Sequence, residues 1–136
     1  MAGGLDLQAL LRGLEPELSP YQWVFATVGQ EPASGVHPFA TIDEEGEGLT
    51  QILRREEADH HGLSYDYVAA RITLRIRSDL GAVGLTAAVS ARLAAAGISC
   101  NVIAGYHHDH LFVPHNRGAE AVRLLEQLAA EIAATD

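Results

Sequence analysis

Polar and apolar residues alternate most regularly just past the middle of the chain. Val68, Ala70, Ile72, Leu74 and Ile76 fall on one side, and Arg71, Thr73, Arg75 and Arg77 on the other. A period of two predicts a strand with one apolar and one polar face. Ser78 and Asp79 then offer side-chain oxygens that would cap a helix, and Gly81 and Gly84 keep its first turn bare. Alanine-rich sequence carries that helix to Gly97, a natural C-terminal stop. Two short strands are predicted next, over about residues 98–106 and 109–113. A helix over residues 118–134 follows, with Ala121, Leu125, Leu128 and Ile132 on one stripe and Glu120, Arg123, Gln127 and Glu131 opposite.

The first half is less regular. Leu7, Leu10, Leu11 and Leu14 recur at helical spacing and predict a short helix over residues 5–14. Pro16 and Pro20 mark the following GLEPELSP as a linker. YQWVFATV, residues 21–28, is rich in aromatic and β-branched residues and predicts a strand, with Tyr21, Trp23 and Phe25 packed beneath a helix. Residues 36–42 read as a second strand, placed at an edge or bulge by Pro38. The acidic run Asp43, Glu44, Glu45 and Glu47 reads as a solvated turn, and Leu49, Ile52 and Leu53 as the start of a helix ending near His60 or His61. These elements make an α+β fold, a largely antiparallel sheet with helices packed on one face.

Composition narrows the function classes. The chain has 136 residues, enough for one domain or two small units sharing a core. A net charge of −9 argues against nucleic acid as a general partner, because phosphate binding needs a basic surface. No apolar run approaches the roughly 20 residues of a membrane span. The opening residues lack the basic region of a signal peptide, and a single cysteine, Cys100, suits a reducing cytoplasm. Cys100 shares a strand face with Ile98 and Val102, which predicts a small buried hydrophobe.

The block SDLGAVGLTAAVSARLAAAGISCNVIAGYHHDHLFVP resembles the C-terminal half of a small bacterial family built from two ACT-like domains. In the first half, FATIDEEGEGLTQILRREEADHHGLSYDY is similar to the acidic turn and helix of the same family. The resemblance implies a tandem of ferredoxin-like βαββαβ units, over residues 1–65 and 66–136. It also implies a regulatory domain that binds a small-molecule ligand, an amino acid, with no catalytic chemistry, no cofactor and association as a homodimer. ACT effectors bind where the first strand meets the first helix. That location implies a site of Ser78, Asp79, Leu80, Gly81, Val83, Gly84 and Leu85, with Asn101 and Ile103 from the next strand.

The residues themselves point to the same junction. A helix start presents amides without intrahelical partners and the positive end of the helix dipole, so a carboxylate is stabilised there. Asp79 is placed to hold an amino group. The corresponding junction in the first half carries DEEGEG on this reading, and its carboxylates would repel such a ligand. Two readings compete: the run Tyr106, His107, His108, Asp109 and His110 as a metal or catalytic centre, and a structural module whose sheet edge or arginine face contacts another protein. Strand alternation sets His108 and His110 on one face and His107 and Asp109 on the other, so only two ligands converge and no metal site is assigned.

Overall fold

A computed structural model of the chain describes residues 6–135. Helix α1 spans Leu7–Arg12, and its predicted start at Leu5 lies outside the described residues. Strands β1 (Pro16–Val28), β2 (Ala40–Asp43) and β3 (Leu49–Arg54) follow, then α2 (Arg55–His60). The second half contributes β4 (Val68–Leu74), α3 (Leu85–Ala95), β5 (Asn101–Ala104), β6 (Asp109–Pro114) and α4 (Gly118–Ala134). The strands form one sheet in the order β2-β3-β1-β4-β6-β5, with every neighbouring pair antiparallel.

That order reads the same from both ends, with the line between β1 and β4 as the centre. One unit uses β1, β2 and β3 and takes β4 as its fourth strand. The other uses β4, β5 and β6 and takes β1. Each is a four-stranded split-βαβ sheet, and the two share their middle strands. After β4 the chain forms α3; after β1 it forms a loop, residues 29–39.

All four helices lie on one face. The alternation of β4 places Val68, Ala70, Ile72 and Leu74 there, facing Leu85, Val89 and Leu93 of α3 and Ala121 and Leu125 of α4. Around β1 and β3 the same face is closed by Ala58 of α2 and by Val36 and Leu63. Gln51 is buried among them, accepting from the Ala33 N–H (3.0 Å) and donating to Thr41 Oγ1 (3.2 Å). Those bonds fasten the loop in a place that would otherwise leave a buried amide unsatisfied.

Four local readings are corrected by the structure. Residues 49–53 are strand rather than helix, so DEEGEG closes the β2–β3 hairpin instead of leading into a helix. Leu49 and Leu53 face the helices while Ile52 faces away, and a strand covered on both sides loses the alternation that identifies it. Gly48 has φ 89°, and a Cβ there would collide with the Val28 carbonyl, which fixes glycine at the hairpin's exit. Strand β1 begins at Pro16, inside the supposed linker. Its first residues pair with β4 alone, and Pro20 falls where the register shifts between Leu18 and Gln22, so neither proline breaks a two-sided ladder. Finally, Tyr21, Trp23 and Phe25 stand on the face away from the helices, with Ile52, Ala69 and Phe112.

That second face is closed by its own aromatic cluster. Phe39, bonded through its N–H to the Ile52 carbonyl of β3, lies across the sheet. Its ring centroid is 5.8 Å from those of Trp23 and Phe112 and 4.9 Å from that of His110. Arg71 is enclosed there rather than solvated: its guanidinium carbon is 4.4 Å from the Trp23 centroid and 4.7 Å from that of Phe39.

Candidate functional site

The segment between β4 and α3 is a long loop, not the helix start expected at Ser78. Asp79 turns the chain locally: its Oδ1 accepts from the Gly81 N–H at 3.0 Å and its carbonyl from the Ala82 N–H at 3.1 Å. The helix begins at Leu85, after Gly84 in the left-handed region (φ 94°). No side chain caps it, so its first-turn amides keep their hydrogen-bonding capacity. The missing side chain of Gly84 makes room for Leu7 of α1, whose Cδ2 would lie 3.1 Å from a Cβ at that position.

The structure gathers Ser78, Asp79, Leu80, Gly81, Val83, Gly84 and Leu85 into one loop and helix start. Leu85 is buried in the core, whereas Leu80 and Val83 are 67% and 86% exposed. Asn101 and Ile103 stand elsewhere, on the sheet face turned away from the helices, opposite Phe112 and His110. A cavity of about 250 Å³ joins Ser78 and Asp79 to three residues that the helix-start argument omitted, Arg77, Tyr106 and His107. Arg77 Nη2 lies 2.8 Å from His107 Nδ1, so the loop leans on the β5–β6 turn. Nothing local in the sequence announces that contact, which needs β4 and β6 to be neighbours.

The histidines of that turn have separate partners. His108 Nδ1 lies 3.3 Å from the Ile76 carbonyl oxygen, and His110 Nδ1 3.0 Å from Thr73 Oγ1. Burial, then the nearby charges of Arg71, His108 and Arg75, lowers the His110 pKa; burial raises that of Asp109. Among the described residues no three His, Cys, Asp or Glu side chains gather as a metal site. Cys100 is half-buried against the helix-face core, and burial pushes its thiol up, away from the reactive thiolate.

A larger cavity, about 710 Å³, opens in the first unit where the loop of residues 29–39 stands in place of a helix. Its walls include Trp23, Phe39, Arg54 and the first turn of α2. The sequence hid it because it depends on DEEGEG being a hairpin and on Phe39 crossing the sheet.

Two family models, each for an ACT domain, match residues 2–70 and 69–127. The chain belongs to the ACT-domain family. Its paired units have the ferredoxin-like ACT fold, and ACT domains are regulatory modules that bind small molecules. A protein of unknown function from Vibrio cholerae, described as a possible transport protein, is similar in structure with a TM-score of 0.81. The two are 42% identical, over 90% of this chain and 95% of that one. A protein from Agrobacterium tumefaciens shares the fold at 16% identity, with a TM-score of 0.68 and coverage of 84% and 87%. The regulatory subunit of aspartate kinase from Thermus flavus shares it at 10% identity, with a TM-score of 0.57 and coverage of 85% and 96%. Nothing among the curated proteins matches the sequence. No helix among the described residues is long and apolar enough to cross a membrane.

Proposed function

We propose that this ACT pair, with units over residues 1–65 and 66–136, is a cytoplasmic regulator. It binds an amino acid at the loop between β4 and α3 and performs no covalent chemistry. The observation that carries the reading is the uncapped start of α3 beside Ser78, Asp79 and Gly81, which offers free amides to a carboxylate. The ligand site of this reading comprises residues 78–81 and 83–85 of the loop and helix start; Asn101 and Ile103, on the other face of the sheet, lie apart from it.

The same loop favours a homodimer. Its cavity, about 250 Å³, falls below the roughly 300–1,000 Å³ usual for small-molecule sites. Tyr106 on its wall is 81% exposed, and Leu80 and Val83 of the same loop are 67% and 86% exposed. A second copy laid against those side chains would bury them and enlarge the site. The cytoplasmic assignment is supported by a lone cysteine with no disulfide.

A melting-temperature screen of the twenty amino acids tests this reading. A ligand at a hundred times its Kd adds about 2.7 kcal/mol, which raises Tm by on the order of 5–10 °C. Gly81→Val should remove the shift and leave the fold intact, because a Cβ at Gly81 meets only Asp79 Oδ1, at 3.5 Å. A screen with no stabilising amino acid, or a shift untouched by Gly81→Val, would refute the loop as the site.

A further inference from the structure

The first-unit cavity collects complementary chemistry with little internal use for it. Trp23 is 6% exposed and forms an apolar wall with Phe39. Arg54, paired with Trp23 across β1 and β3, spreads its guanidinium over the Tyr21 ring at 3.5 Å. Among the described residues no carboxylate lies within 4.0 Å of Arg54 or of Arg71 behind the same rings. The Arg71 Nε is enclosed with no hydrogen-bond partner. The acid that Arg71 feels, Glu17, lies 3.8 Å from Arg75 instead. Burial and then the repulsion of Arg54 lower the Arg71 pKa, partly offset by Glu17. Arg71 thus lies on the Trp23 ring and Arg54 on the neighbouring Tyr21 ring, neither with a paired anion, an arrangement that an incoming carboxylate stabilises.

The acids on the opposite wall are differently engaged. Glu57 accepts the His37 N–H at 3.0 Å and lies 3.5 Å from His37 Nδ1. Glu56, one residue earlier in α2, is exposed and has no partner of its own among the described residues. At about 710 Å³ the space is in the ordinary range for small ligands.

We propose that this cavity binds an α-amino acid with a large apolar side chain. Arg54 takes the carboxylate, Glu56 the ammonium group, and Trp23 and Phe39 pack on the side chain. The proposal rests on the reading of the protein as an amino-acid sensor and adds a site in the first unit. The hairpin position of DEEGEG removes the repulsion that would have excluded this half.

Trp23 is the chain's only tryptophan, so its emission reports on this cavity and not on the loop between β4 and α3. The full-length protein is titrated with L-phenylalanine, phenethylamine and 3-phenylpropanoate, exciting where a phenyl ring does not absorb. L-Phenylalanine should change the emission saturably. Each analogue, lacking one charged group, should bind on the order of tenfold or more weakly, as should L-phenylalanine to Arg54→Gln. Gly81→Val should bind as the parent does. Equal affinity for an analogue, or no loss in Arg54→Gln, would overturn the proposal. So would no emission change with L-phenylalanine; if other amino acids still raised Tm in a Gly81-dependent way, the loop reading would survive alone.

Discussion

The stretches that follow β1 and β4 occupy equivalent places in the two units and solve the same problem differently. After β4 the chain makes an 11-residue helix whose Leu85, Val89 and Leu93 seal the sheet. After β1 it makes a loop, held by Gln51 and contributing only the half-buried Val36 to the core beneath it. A helix of that length fills its share of the interior. The larger cavity opens beside the end of that loop, at His37 and Phe39, with its sheet residues Trp23 and Arg54 on the face away from the helices. Equivalent positions in an ACT pair therefore need not be equally available to a ligand.

The comparison breaks most visibly through the core. Leu93→Ala should cost about 2–5 kcal/mol in urea unfolding, whereas Val36→Ala in the loop should cost less than about 1. Equal losses would mean that the loop carries as much packing as the helix. A smaller effect separates two glycines. Gly84→Ala forces a Cβ into the left-handed region and towards Leu7, costing about 1–2 kcal/mol. Gly29→Ala, with an unstrained φ and open space, should stay within about 0.5 kcal/mol. Similar melting temperatures for the two variants would contradict the geometry.

The gentlest test concerns His110, where β6 of one unit meets Phe39 of the other. Its pKa is lowered from the ordinary value of about 6.5, so the unfolded chain binds the proton more readily than the folded one. Its contribution is therefore complete above about 6.5 and is lost as pH falls towards the lower, folded value. Replacing it in His110→Asn should flatten that part of the stability profile. An unchanged slope would assign the titration to another group.

Much of this architecture was legible in the residues. The alternation of Val68–Leu74 and the stripe of α4 follow from their periods, whereas the run from Ser78 to Gly84 reads as a helix start and is a loop. What escaped was non-local. Ile52 faces an aromatic cluster assembled from β1, β6 and the loop, so no window around it reveals a strand. Pro16 and Pro20 are harmless only because β3 does not reach them. Alternation puts Arg71 on the polar face but cannot say what lies over that face, and Phe39 comes from outside the segment. At the candidate site, Ser78–Gly84 stood out by composition, whereas Arg77 and His107 meet only through the fold.

The sharing of β1 and β4 has a consequence for how the protein can be divided. A fragment cut between α2 and β4 would leave each half short of its fourth strand, with a raw edge where the centre of the sheet had been. Two such fragments would have to find one another to regain their shape. The pair is inherited and unfolded as one object, and its repeats cannot be dispensed singly.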